Sequence, residues 1–158
     1  MDILTQLTDG LSYLHTHRCL HCDIKPSNLL LEPISDREYE IKIADLGSSK
    51  IIPALAHDTQ RTHVVGTVDY APDYARHIVN TEETVPISDL QRWFPHWDLF
   101  CLGATLARIV WTQTTAGDRN FKRMLLDPKP NISRLFESDF DVLKPIILRL
   151  VDPIMENC

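Results

Sequence analysis

His21-Cys22-Asp23-Ile24-Lys25-Pro26-Ser27-Asn28, with Asp45-Leu46-Gly47 further along, is the stretch on which the reading of this chain turns. Residues 18–28 break the apolar period that precedes them and contain Pro26, so they read as a loop. Leu29-Leu30-Leu31 and Ile41-Lys42-Ile43-Ala44 are short strand candidates, and 33–40 between them, with Pro33, Ser35 and Asp36, suits a turn. Paired as a hairpin, the strands bring Asn28 and Asp45 to the same end. An Asn carbonyl and a carboxylate are hard oxygen ligands suited to Mg²⁺. Asp23 is then left to accept a hydroxyl proton and Lys25 to face a phosphoryl oxygen. Positioning and electrostatic stabilisation are most of what phosphoryl transfer requires.

Outward from this centre, Ile3, Leu4, Leu7, Leu11 and Leu14 recur at three- and four-residue spacing, which predicts a helix over 2–17 with Asp2 or Thr5 at its start. From Asp45 to Pro72 no period holds, and Gly47, Pro53 and Gly66 mark a long loop. Residues 78–96 read as irregular, with Pro86 and Pro95. Residues 97–112 are apolar apart from Asp98, Thr105 and Arg108, the pattern of a buried helix. Leu143, Ile146, Ile147, Leu150 and Val151 mark a last helix with Pro145 in its first turn, and 113–138 is read as helical in part.

In this order the motifs resemble those of the Ser/Thr protein kinases. Residues 21–28 are similar to the catalytic loop H-R-D-L-x-x-x-N with Cys22 for the arginine, and Asp45-Leu46-Gly47 to the D-F-G metal motif. Gly66-Thr67-Val68-Asp69-Tyr70-Ala71-Pro72-Asp73 resembles the end of an activation segment, which usually closes in A-P-E. Trp97-Asp98-Leu99-Phe100-Cys101-Leu102-Gly103 resembles the buried helix beyond it, and Tyr13-Leu14-His15 the helix before the loop. Lys25-Pro26-x-Asn28 is the Ser/Thr form of the loop.

The resemblance implies a mainly α chain with a short β-hairpin at the catalytic loop: a kinase-like C-terminal lobe (α+β) without its N-terminal lobe. On that reading 1–158 is a partial kinase domain. Its parts are the catalytic loop 21–28, metal motif 45–47, activation segment 45–73, an insertion over about 74–96 and the buried helix 97–112. It implies ATP and Mg²⁺ as cofactors and protein Ser/Thr as substrate, with a complementary N-lobe polypeptide as a partner. Asp23, Lys25 and Thr67 are implied as catalytic, with Thr67 bonded to the other two. Asn28 and Asp45 are implied as metal ligands, Leu30 as the floor under adenine, and His21, Leu46 and Asp98 as internal supports. Two alternatives stand beside it: an inactive kinase-like binding or scaffold fragment, and a small-molecule phosphotransferase of the aminoglycoside type.

Singly, these residues are unremarkable. Asp23, Asp45 and Asn28 suit turns, and Lys25 suits a solvated surface. Asp98 is different, because a carboxylate in so apolar a helix needs partners unless it sits exposed on the first turn. The chain also departs from the family. Its five glycines, at 10, 47, 66, 103 and 117, form no G-x-G-x-x-G. Lys42 belongs to the strand entering the metal motif, so it is not the phosphate-binding strand lysine. Cys22 stands where an arginine usually receives an activation-loop phosphate, so phosphorylation at Thr59 or Thr62 lacks that receptor. Asp73 replaces the usual Glu, and its arginine partner is expected beyond Cys158. The stretch 74–97 is longer than the family norm, and its Trp93, Phe94 and Trp97 are read first as packing and second as a partner surface.

Composition sets the outer bounds. The 158 residues are 44% hydrophobic and 24% charged, with a formal charge of −6, values ordinary for a globular domain. The acidic balance argues against a nucleic-acid or anionic-membrane partner. Neither a leader peptide nor an apolar run of membrane-spanning length is visible. Cys19, Cys22, Cys101 and Cys158 therefore read as free thiols in an intracellular, cytoplasmic protein, with the nucleus as the alternative. His15, His17, Cys19, His21 and Cys22 are crowded but match no standard zinc spacing.

Overall fold

The structure is a computed structural model, described here over residues 3–35, 38–54, 60–114 and 144–151. Helix α1 spans Ile3–Thr16 and turns Leu7 and Leu11 into the core. It is followed by strand β1, Cys19–Leu20, and by a single 3₁₀ turn, Pro26–Asn28, that closes the loop of interest. Strands β2 (Leu29–Ser35) and β3 (Glu38–Ile43) form an antiparallel hairpin in which Leu29 faces Ile43 and Leu31 faces Ile41. The expected strands are thus longer than their apolar cores. Pro33 and Tyr39 still pair, and the register shifts between Pro33 and Ser35. The hairpin leans on α1 through Gln6, whose amide donates to the Tyr39 carbonyl (3.0 Å) and accepts from Ile41 N–H (2.9 Å).

The stretch expected as one long loop carries short elements. A 3₁₀ turn covers Leu46–Ser48, β4 (Lys50–Ile51) pairs with β1, and β5 covers Arg61–His63. Residues 78–96 are regular where irregularity is expected from their prolines. Helix α2 covers Asp73–Thr81, β6 covers Thr84–Pro86 and α3 covers Ile87–Trp93. The prolines fall at the edges: Pro72 and Pro86 precede helices and cap none of their N–H groups, and the Phe94–Pro95 bond is cis. Strand β6 pairs antiparallel with β5, Thr62 opposite Val85. Proline prevents a strand only where its missing N–H is needed, and Pro86 ends the ribbon.

Helix α4, His96–Thr114, is the axis of the core. Trp97, Cys101, Leu102, Ala104, Leu106, Ala107 and Val110 are all buried along it. Helix α5, Lys144–Val151, packs across α4 at Gly103, where a Cβ would lie 2.7 Å from Leu150 Cβ and 2.9 Å from Val151 Cγ1. Only hydrogen on that Cα permits the approach. Trp93 stacks against Trp97 and Tyr74, with ring centroids 5.9 and 5.1 Å from Trp93. Trp93 and Trp97 are therefore packing residues that fold the long connection back onto α4. Most of 113–138, together with Asp2, Asp36, Thr59, Leu143 and Cys158, lies outside the described residues. Among the described residues no helix is long and apolar enough to cross a membrane.

Candidate active site

The loop 21–28 is suspended from α4. Asp98 is fully buried and accepts from His21 N–H (2.8 Å), Cys22 N–H (2.9 Å) and His15 Nε2 (2.9 Å). Those donors offset the cost of burying a carboxylate, and an exposed first-turn position is ruled out. One residue earlier, Trp97 Nε1 donates to the Cys22 carbonyl at 3.2 Å; two turns later, Thr105 Oγ donates to the Ile24 carbonyl at 3.2 Å. The polar breaks at 98 and 105 in an apolar helix are thus the points that hold the loop.

Within the loop, His21 is buried and fixed by two bonds. Its Nδ1 accepts from Asp23 N–H (3.3 Å) and its Nε2 donates to the Ala44 carbonyl (3.1 Å), which selects the tautomer with hydrogen on Nε2. Cys22 adopts φ 68°, in the left-handed region. Its carbonyl is covered by Gly66, where a Cβ would lie only 2.6 Å from that oxygen. The glycine thus brings the segment ending at 73 directly onto the loop. Burial, aided by the charge of Asp98, pushes the Cys22 thiol well up from its ordinary value. A thiol carries no positive charge in either form, so position 22 presents no cation, and the residue is 1% exposed.

Asp23, Lys25, Asn28 and Thr67 meet. Lys25 Nζ lies 2.7 Å from Asp23 Oδ2 and donates to Thr67 Oγ at 2.8 Å. Asn28 Nδ2 donates to the Asp23 carbonyl (2.9 Å) and to Asp23 Oδ2 (3.2 Å). Of the two bonds expected of Thr67, the one to Lys25 is made, and none to Asp23 is present among the described residues. Asp23 Oδ1 is buried and receives no hydrogen bond among the described residues. A buried carboxylate oxygen left unmatched costs about 1–3 kcal/mol or more, so it marks a point built to receive a donor.

Asn28 and Asp45 share one end of the hairpin, since Ala44 N–H donates to the Asn28 carbonyl at 2.9 Å. Asp45 is held at φ 65°, ψ 77°, and its Oδ1 accepts from Gly47 N–H at 3.2 Å. The Asn28 amide nitrogen is turned to Asp23, so its oxygen, like the Asp45 carboxylate, is a hard donor of the type Mg²⁺ takes. Leu30, 53% exposed, lies two residues beyond Asn28 on β2.

Two expectations are corrected. Leu46 is 55% exposed, because the 3₁₀ turn at 46–48 swings it away from the core, so it braces nothing there. Asp73 finds its arginine within α2: Arg76 Nη1 lies 2.7 Å from Asp73 Oδ1, and Arg76 Nε donates to the Ala71 carbonyl. The spacing i, i+3 at a helix start is the signal that identifies this pair. The supports Trp97 and Thr105 are missing from the sequence reading. The second is legible as the same-face position two turns beyond Asp98. The His/Cys cluster disperses, with His17 Nδ1 on the Tyr13 carbonyl and His15 on Asp98. Among the described residues no three His, Cys, Asp or Glu side chains group as a metal site.

Three comparisons bear on the arrangement. A family model described as the protein kinase domain matches residues 1–141. The chain is 34% identical over 107 residues to "Cell division control protein 2 homolog 3" of Trypanosoma brucei brucei, covering 67% of this chain and 30% of that protein. It is 43% identical over 70 residues to "Aurora kinase B" of Mus musculus, covering 44% of this chain and 18% of that protein. The matched stretches are thus less than a third of these relatives' lengths.

Proposed function

The chain belongs to the protein kinase family, and from that premise we propose that it carries the catalytic-loop lobe of a Ser/Thr kinase domain. Completed by a nucleotide-holding N-terminal lobe, it transfers the γ-phosphate of ATP to Ser or Thr hydroxyls of proteins. The observation that carries the proposal is the buried, unbonded Asp23 Oδ1 beside the Lys25–Thr67 pair.

A substrate hydroxyl placed at Asp23 Oδ1 gives its proton to that oxygen as its own oxygen attacks the γ-phosphorus and the bond to the ADP oxygen breaks. Asn28 holds the other Asp23 oxygen in place, and Lys25, oriented by Thr67, faces the transferred group. Asn28 and Asp45 would hold Mg²⁺, which would neutralise phosphate charge. Leu30 offers an apolar surface to the adenine ring. Free, buried thiols at Cys19, Cys22 and Cys101 suit a reducing, intracellular setting. Position 22 gives an activation-segment phosphate no receptor, so the loop's geometry is independent of that modification.

The intact grouping of Asp23, Lys25 and Asn28 disfavours a purely scaffolding role, and Lys25-Pro26 with 66–72 disfavours a small-alcohol substrate. The test is γ-phosphate transfer from radiolabelled Mg-ATP to Ser peptides by the chain joined to a complementary N-terminal lobe. Asp23→Asn is expected to lower transfer roughly 10²–10⁴-fold with unchanged circular dichroism. Transfer unaffected by that change, or directed to small alcohols in preference to peptides, overturns the proposal.

A further inference from the structure

The segment 45–73 is fastened at two places to one other stretch of the chain, 82–91. At the front, Ile52 N–H donates to the Arg18 carbonyl (2.8 Å) while Arg18 Nε donates back to the Ile52 carbonyl (2.8 Å). The next carbonyl, that of Pro53, accepts from Arg18 Nη2 (3.0 Å) and from Gln91 Nε2 (2.7 Å). Proline has no N–H, so this carbonyl is the only backbone handle at position 53, and two donors fill its two lone pairs. Gln91 is half-buried, and its neighbours on α3, Leu90 and Trp93, are buried in the core. The amide therefore projects from a helix that is itself fixed.

At the rear, Ile87 N–H donates to the Gln60 carbonyl (2.9 Å) and β5 pairs with β6. Arg61 Nε donates to Thr84 Oγ (3.0 Å) and Arg61 Nη2 to the Thr84 carbonyl, while His63 Nδ1 donates to the Glu82 carbonyl (3.1 Å). Directly after His63 come Val64, fully buried, then Gly66 against the Cys22 carbonyl and Thr67, whose Oγ accepts from Lys25 Nζ. The rear fastening thus leads straight into the threonine that orients Lys25. Arg18, Arg61, His63 and Gln91 each donate to a neutral carbonyl or hydroxyl, so the fastening is complete without an added charge. A phosphate orders a loop by recruiting cations, and here neutral acceptors already engage these donors. The stretch 82–91 also shares a frame with the loop, since Trp93 stacks on Trp97 and Trp97 Nε1 holds the Cys22 carbonyl.

We propose that 82–91 is a built-in brace, with Gln91 and Arg61 as its positioning residues, that keeps 45–73 in the form seating Thr67 on Lys25 without modification of the segment. The part it plays in phosphotransfer rests on the kinase reading, and the brace itself rests on the bonds alone.

The test uses the full 158-residue chain, treated with phosphatase, and amide hydrogen exchange. Ile52 and the amides of 61–63 are expected to be protected in this unmodified chain. Gln91→Glu, equal in size but without a donor, is expected to speed exchange at Ile52 roughly tenfold, and Gln91→Lys, which restores a donor, to keep it near the parent rate. Arg61→Met, which keeps the apolar stem, is expected to speed exchange over 61–67 roughly tenfold. Exchange along α4 should not move in any of them. Fast exchange in the unmodified parent, exchange untouched by both Gln91→Glu and Arg61→Met, or equal acceleration along α4 overturns the proposal. Joined to an N-terminal lobe, the chain with Thr59→Ala and Thr62→Val should transfer phosphate as fast as its parent. Arg61→Met should lower kcat roughly tenfold or more with KM for ATP unchanged, because Thr67 acts on Lys25 and not on the nucleotide's base. Phosphotransfer with kcat unmoved leaves the kinase and removes the brace's role. Local release in the exchange experiment without phosphotransfer in any chain leaves the brace and removes the kinase.

Discussion

The loop 21–28 and the β2–β3 hairpin adjoin at Asn28 yet are held by opposite means. In the loop the polar side chains His21, Asp23 and Asn28 are buried. His21, Asp23, Asn28 and Asp98 are each no more than 6% exposed; Asp23 and Asn28 bond within the loop, while Asp98 and His21 tie it to groups far away in sequence. In the hairpin the backbone ladder is supplemented by exposed side-chain pairs, Lys42 with Glu32 and Glu40, and the apolar side chains Leu30, Leu31, Ile34 and Tyr39 are exposed. The first region has geometry imposed by α4 and cannot shift without unpairing buried donors. The second is held by its own ladder and by Gln6 of α1. Residues that must be placed to a fraction of an ångström are rooted in the rigid helix, and those that need only offer a surface are carried on the ladder.

The sharpest way to break that contrast is Asp98→Ala. It strands two backbone N–H groups and His15 Nε2 in the interior, and is expected to cost about 3–5 kcal/mol, read as a drop of over ~1 M in the urea midpoint. An unchanged midpoint means the loop does not hang from α4. A second test is pH. Burial raises the thiols of Cys22 and Cys101 well above the ordinary value of 9.0. Past 9.0 the unfolded chain gives up protons that the folded chain keeps, so stability is full below 9.0 and falls as pH rises beyond it. Urea midpoints taken from pH 7 upward should be level and then decline, less steeply in Cys101→Ala; a flat alkaline limb breaks the picture of a sealed loop floor. The smallest effect is expected in the hairpin. Ile34, 64% exposed, changed to Ser should move stability by less than ~0.5 kcal/mol, and a large loss there shows that the hairpin's outer face is covered after all.

How far the sequence was readable follows the same division. Asp23, Lys25, Asn28 and Asp45 were legible because one short loop and one hairpin bring them together, a local matter of strand pairing. Asp98 was legible because a charge in an apolar helix demands partners. Trp97 was not, since an indole among apolar residues reads as packing and the donor on its edge has a target only in three dimensions. The helices at 73–81 and 87–93 were hidden by prolines, which mark boundaries as readily as breaks. Strands β5 and β6, three residues each, exist by virtue of each other and have no periodic signal long enough to detect.

That ribbon binds the fates of two stretches that look independent along the chain. Thr62 pairs with Val85, and Ile87 N–H reaches the Gln60 carbonyl. A residue gained or lost anywhere in 74–83 slides one strand past the other and turns Val85, now buried, toward solvent. The length of 74–83 therefore acts as a ruler for the segment before it. Lineages that carry such a chain should change the two lengths together or not at all.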